Sequence, residues 1–283
     1  RWYMLLYTHL DMPFPSRQSS FCLQDGNVIE SVWMRYRHGN TVCISSQVGC
    51  NMGCDFCASG LLKKRRDLTT GEMVSQILFV QQELDKEEER VSHIVVMGTG
   101  EPLDNFDNLL KFIELLTDEN GIHISQRNLT VSTCGIVPKM KELAEKNLSI
   151  TLALSLHASS QEKRKELMPI AKAYDIAEVI EACKYYFEKT GRRITFEYSL
   201  VGGVNDTDED AKALSDLIKG MNCHVNLIPV NPIKERDYVQ SNENVIMAFK
   251  NKLEKNHINV TVRREMGRDI DGACGQLRRK YMK

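Results

Sequence analysis

Three cysteines lie close together in "GCNMGCDFCASG" (49–60), at Cys50, Cys54 and Cys57, in the spacing C-x3-C-x2-C. Thiolates so spaced let a short loop wrap one metal centre, and glycines at 49, 53 and 60 allow the tight backbone this needs. Structural zinc ordinarily takes four ligands. A cubane iron–sulfur cluster has four irons, each wanting one outside ligand, so three cysteines would leave one iron open to another group. A zinc ion with a distant fourth ligand, or buried thiols that bind nothing, are the alternatives the spacing leaves standing.

Other residues carry weaker signals. "MGTGEP" (97–102) lacks the full G-x-G-x-x-G of a dinucleotide fold, but its glycines let a backbone approach a ligand, and Glu101 beside Gly100 could accept from an ammonium group. "STCG" (132–135), "SLH" (155–157) and "NLIPVNP" (226–232) each close a short apolar run. Taken singly, their polar residues read equally well as helix caps or satisfied core groups. Taken together, they place Ser132, Ser155, His157 and Asn231 on one rim. Two further cysteines stand out: Cys43, seven positions before Cys50, and Cys274 in the glycine-flanked "DIDGACGQL" (269–277). A lone cysteine is usually a buried small hydrophobe, the reading kept for Cys22, Cys134, Cys183 and Cys223. Glu30, in "NVIESV", reads by itself as a surface glutamate.

To gather these residues the chain must return repeatedly to one edge. Short runs rich in β-branched residues at 41–45, 93–97, 129–132, 150–155, 194–198 and 225–229 read as buried parallel strands, with 260–262 as a last one. Between them, 70–89 places Met73, Ile77, Val80 and Leu84 on one helical face, and 106–118, 138–146, 176–189, 208–219 and 242–255 show similar stripes. About six β/α repeats predict a parallel sheet, doubly wound or a partial barrel, with ligands at the C-terminal strand ends. Residues 1–40 read as irregular, with turns at 25–26 and 38–40.

At 283 residues and 42% hydrophobic content the chain has ample core for one large domain or two small ones. A net charge of −1 gives no global basic field. Local clusters at 63–66 and 278–280 read either as solvated loops or as phosphate contacts. Nine cysteines, no run of 18 apolar residues and no signal segment predict a reducing, cytoplasmic setting away from membranes, with thiols used for metal, catalysis or core. The chain begins at Arg1, so a natural N-terminus is expected to be missing.

The triplet after the first strand, with aromatic Phe56 before its last cysteine, resembles the signature of radical S-adenosylmethionine enzymes. More closely, "TVCISSQVGCNMGCDFCASG", "VVMGTGEPLDN", "ALSLHA", "NLIPVNP" and "DIDGACGQL", in this order within 22–277, resemble the RlmN/Cfr family of RNA adenine methyltransferases. The resemblance implies an α/β fold, a radical SAM partial (β/α)6 barrel of parallel strands with outer helices. It implies a [4Fe-4S] cluster on Cys50, Cys54 and Cys57, and S-adenosylmethionine held through Gly100, Glu101, Ser132, Ser155, Leu156, His157 and Asn231. Two molecules of that cofactor would be used per turnover. One methylates Cys274; the other yields a 5′-deoxyadenosyl radical that takes a hydrogen from the S-methyl group, and the resulting carbon radical adds to adenine. With Glu30 as proton acceptor, Cys43 then attacks the sulfur of Cys274, forming a disulfide and releasing the product.

The implied substrate is an adenosine of 23S ribosomal RNA in the peptidyl transferase centre, flipped or unstacked, with transfer RNA beside the anticodon in some members. An electron donor of the flavodoxin or ferredoxin kind and a monomeric enzyme are also implied. Pro102 in "GEPL" favours carbon 2 over the carbon 8 chemistry of the antibiotic-resistance branch. The alternatives are that C8 enzyme, or an inactive truncated protein that binds a cluster. The family carries a helical domain before the barrel; 1–40 is expected to be its remnant or linker, and 41–283 the core with a C-terminal catalytic loop.

Overall fold

The computed structural model describes residues 4–11, 16–232 and 236–263, with the backbone alone at 4–11. These form two compact units, one holding the residues up to Asn51 and Ala58–Ser132, the other Met52–Cys57 and the residues from Thr133 onward.

The first unit opens on β1 (Met4–Asp11), β2 (Ser16–Leu23), β3 (Val28–Tyr36) and β4 (Gly39–Cys43), each antiparallel to the next. The described residues before 40 are therefore mostly strand, not the irregular segment expected, and the sheet runs across that boundary. The sequence hides it because Gln18, Ser19, Ser20, Glu30 and Ser31 are polar yet buried, which blurs the alternation that marks a strand. A short ribbon of β5 (Gln47–Val48) and β6 (Arg66–Asp67) ties off the ends of the cysteine loop. Then α1 (Thr70–Asp85), β7 (Val91–Val96), α2 (Phe106–Thr117) and β8 (Leu129–Thr133) follow, with β4, β7 and β8 parallel.

The second unit continues with α3 (Val137–Glu145), β9 (Thr151–Ser155), α4 (Gln161–Leu167), α5 (Ile176–Thr190), β10 (Ile194–Leu200), α6 (Asp208–Leu217), β11 (Cys223–Pro229), α7 (Glu243–Lys255) and β12 (Asn259–Val262). Strands β9 to β12 are parallel neighbours in chain order. Helix starts are written in the sequence. Thr69 with Glu72, Asp175 with Glu178 and Thr207 with Asp210 each form a reciprocal capping box, and Gly191 ends α5 in the left-handed conformation. Each cap is worth about 1 kcal/mol.

The expected buried strands alternate along their length. One face carries Val42, Ile94, Val96 and Val131 in the first unit and Leu152, Leu154, Phe196, Tyr198, Val225 and Leu227 in the second, all 0–1% exposed. Buried helix residues such as Met73, Ile77, Leu109 and Phe112 in the first unit, and Leu143, Val179, Tyr186 and Leu214 in the second, complete the cores. The other face carries Cys43 in the first unit and Ser155, Thr195, Glu197, Ser199, His224 and Asn226 in the second. A strand with one polar face turned inward lines a site rather than a core.

Candidate functional site

In the first unit, β4 ends at Cys43, which is opposite Val32 on β3 and Val95 on β7. Glu30 lies two residues before Val32, on the same face, so Glu30 and Cys43 are diagonal neighbours, about 7–8 Å apart in a regular antiparallel ladder. Glu30 is 4% exposed, not the surface residue its sequence context suggests. Its carboxylate accepts from Gln18 Nε2 at 3.4 Å, and its carbonyl accepts from the Ser45 hydroxyl at 2.7 Å.

After β4 the chain is braced by its own amides. Gln47 Oε1 accepts the Glu101 N–H at 2.9 Å, while its Nε2 donates to Asp67 at 2.8 Å and Asp104 at 2.9 Å. Gln76 accepts the Ser45 N–H and returns a bond to the Ser45 carbonyl. Asn105 donates to the carbonyls of Ser46 and Leu68. Gly100 has φ +115°, and a Cβ there would fall 2.6 Å from the Gln47 side chain. Its close approach is thus to the chain itself, and a carboxylate oxygen of buried Glu101 caps the next turn at the Leu103 N–H.

The basic run is largely spoken for. Arg66 forms a bidentate pair with Glu72 and a third bond to Asp25, holding the Asp25 carboxyl down at about 2. Lys64 reaches Asp67 and Asp104. Arg65 donates to Asn27. The second basic cluster, 278–280, lies outside the described residues.

The division between units falls inside the cysteine loop. In the first unit the Cys50 N–H donates to Leu62 O at 2.8 Å. In the second, Cys54, Asp55, Phe56 and Cys57 form a tight turn closed by the Cys57 N–H on Cys54 O at 3.2 Å. The Asp55 N–H donates to Leu167 O at the end of α4, and the Asp55 carboxylate accepts from the Tyr238 hydroxyl at 2.8 Å and pairs with Arg236 at 2.7 Å. Neither Arg236 nor Tyr238 carries a sequence signal, because their partner lies 181 to 183 positions away. Met52, Cys54 and Phe56 pack against Cys134, Leu167 and Met168. All three triplet thiols are half-buried. Among the described residues no group of three or more His, Cys, Asp or Glu is already gathered as a metal site.

Across the second unit, Ser155, Glu197, Asn226 and Thr261 stand side by side in register on four strands. Asn226 Nδ2 donates to Glu197 Oε1 at 2.9 Å, and Asn226 Oδ1 is shared by Thr261 and His224. Burial pushes the Glu197 carboxyl above its ordinary range, with the Asn226 bond and the Arg263 charge opposing. Sequence reasoning missed Glu197, although the alternation in "ITFEYSL" could have found it. His157, with φ +53°, turns its ring edge-on to Phe56, with centroids 4.6 Å apart. Its Nδ1 accepts the Ser199 N–H at 2.9 Å, and its carbonyl accepts from Asn205 Nδ2 at 2.8 Å. Burial, helped by the charge of Arg164, pushes the imidazole down to about 3, so it stays neutral with its proton on Nε2. Leu156 is buried beside it, while Asn231 is half-buried just past β11. Ser132 closes the first unit at the end of β8. Cys274 lies outside the described residues.

Arg164, on α4, is wholly buried; its Nη2 donates to Cys134 O at 2.6 Å, and its Nε and Nη1 have no partner. In the second unit, half-buried Cys54 and Cys57 share their surroundings with the buried cation of Arg164, a charge that suits a bound anionic iron–sulfur group. Cys50, Cys54 and Cys57 are the residues that would hold it.

Residues 44–218 match the model of the Radical SAM superfamily. The chain is 68% identical over 262 residues to the probable dual-specificity RNA methyltransferase RlmN of Lachnospira eligens, covering 93% of this chain and 74% of that protein. It is 62% identical to the protein of the same name from Lachnoclostridium phytofermentans, covering 92% and 72%. A crystal structure of a radical SAM methyltransferase from Sphaerobacter thermophilus superimposes with a TM-score of 0.94 at 39% identity, covering 97% of this chain and 81% of that one. The chain belongs to the RlmN family, the radical SAM RNA methyltransferases.

Proposed function

We propose that this enzyme methylates carbon 2 of an adenosine in 23S ribosomal RNA, with transfer RNA as a second substrate. The observation that carries the reading is the placing of Glu30 and Cys43 on one face of adjacent strands, a buried carboxylate diagonal to a thiol. When bound, the cluster and two molecules of S-adenosylmethionine supply the electron, the radical chemistry and the methyl group. The chain's own work is to carry and release. Cys274 carries the methyl group as a thioether and holds the base covalently. Glu30 takes the ring proton. Cys43, as thiolate, attacks the sulfur of Cys274; the S–CH2 bond breaks, its electron pair leaves with the carbon, a proton from solvent completes the methyl group on the base, and a disulfide is left to be reduced.

Gly100, Glu101, Ser132, Ser155, Leu156, His157 and Asn231 are proposed to surround S-adenosylmethionine. Pro102 and the dual specificity in the relatives' names support the substrate reading. No helix among the described residues is long and apolar enough to cross a membrane, and we place the enzyme in the cytoplasm as a monomer served by a flavodoxin or ferredoxin.

The test is to incubate the anaerobically reconstituted chain with ribosomal RNA and methyl-labelled cofactor and digest the product. 2-Methyladenosine is expected; 8-methyladenosine as the product would overturn the assignment. Under the same conditions Cys43→Ala should leave RNA covalently attached to the protein. Normal turnover by that variant would remove Cys43 from its role.

A further inference from the structure

Helix α4 presses on the cysteine loop from behind. Its last carbonyl, Leu167 O, holds the Asp55 amide, and Leu167 and Met168 pack against Cys54 and Phe56. From the same helix, Arg164 reaches inward beneath this contact, 0% exposed. Room for the guanidinium is made by Gly135, at φ +101°, where a Cβ would stand 3.2 Å from Nη2 and 3.1 Å from Val179. One bond, to Cys134 O, satisfies one nitrogen; Nε and Nη1 are buried without a partner.

A buried, unpaired guanidinium is among the costliest groups a core can hold. Among the described residues no carboxylate pairs with it. Asp55 is engaged by Arg236 and Tyr238, and Asp210 by Lys163, Ser159 and Thr207. Burial pushes the guanidinium below its ordinary range, and the groups that oppose this are the cysteines Cys134, Cys54 and Cys183. Of these, Cys134 and Cys183 are buried thiols, and burial pushes Cys183 far above its ordinary range, so it stays neutral. Cys54 is half-buried and belongs to the metal-binding triplet.

We propose that Arg164 is the built-in counter-charge of the iron–sulfur cluster, a positioning residue that raises its one-electron reduction potential. This rests on the reading of Cys50, Cys54 and Cys57 as cluster ligands. The cluster with three thiolates gains one negative charge when an outside reductant delivers an electron, and a fixed positive charge favours that reduced form. A fixed unit charge in a poorly solvated setting weighs on such an equilibrium far more than it would in water.

The experiment compares the full chain with Arg164→Met and Arg164→Lys after anaerobic reconstitution. Iron and sulfide per chain are measured first, then a dithionite titration is followed by electron paramagnetic resonance. Arg164→Met is expected to lower the reduced-to-oxidised ratio at fixed potential by about tenfold or more, a shift of about 59 mV per decade, and Arg164→Lys to recover most of it. An unchanged potential in iron-loaded Arg164→Met overturns the inference alone; an iron-free wild type overturns the cluster reading beneath it. Should Arg164→Met fail to keep a cluster, the metal-free chains decide. The inference expects metal-free Arg164→Met to melt above metal-free wild type, because an unsatisfied charge is gone. A lower melting temperature marks Arg164 as ordinary scaffold and removes the proposal.

Discussion

The corner after β4 and the corner behind Cys54 are built from similar material to opposite effect. Around Gln47, Gln76 and Asn105, side-chain amides are matched to donors and acceptors of the chain itself, and Gly100 packs on that brace. Behind Cys54 the chain buries a guanidinium and leaves two of its nitrogens bare. Buried polar groups that the chain satisfies hold their corner rigid. One it leaves unsatisfied calls for an explanation, and for the cation behind Cys54 a bound anion is the one proposed above. A polar residue's burial alone does not separate the two cases; its hydrogen-bond tally does.

The largest effect should come from the braced corner. Gln47→Ala strands the Glu101 N–H in a buried position and removes the donors to Asp67 and Asp104, so a loss of about 2–3 kcal/mol is expected in urea unfolding of the metal-free chain. A loss below about 0.5 kcal/mol would mean that water or neighbours rebuild the brace, and the contrast with Arg164 would fade.

Next in size is the pH response of His157. Its folded pKa is near 3, below the ordinary 6.5. Above pH 6.5 the ring is neutral in folded and unfolded chains, and its contribution is complete. Below 6.5 the unfolded chain takes up a proton that the folded chain refuses. Stability should therefore fall by about 1.4 kcal/mol per pH unit between roughly 6 and 5, above the range where most carboxylates titrate. His157→Asn tolerates the positive φ and can still accept the Ser199 N–H, so its stability should be flatter over that window. Parallel slopes for the two proteins would show that the imidazole is not held neutral.

The smallest effect is at the outer wall of the cysteine turn. Tyr238→Phe removes one bond to Asp55, and about 1 kcal/mol is expected. Iron retention should fall measurably with it, whereas unchanged retention would separate Tyr238 from the turn it touches.

Most of the fold was legible because its signals are local. Apolar stripes give α1, α5 and α6, and β-branched runs give β7, β9 and β11. What escaped depends on distant partners. β2 and β3 hide behind buried serines and glutamine, which read as loop until β4 is in place. Helix α4, "QEKRKEL", has no apolar stripe, and Arg164 within "KRK" looks like any solvated charge. The cysteine triplet needed no structure to be noticed; its wall of Asp55, Tyr238 and Arg236 did.

The row formed by Ser155, Glu197, Asn226 and Thr261 depends on strict two-residue alternation. Deleting one residue ahead of Glu197 within β10 would rotate Phe196 or Tyr198 into the lining and drive a carboxylate among the helices. Insertions and deletions should therefore be barred from these strands, so diversification among descendants of this chain is confined to the connecting turns or to swaps that conserve length.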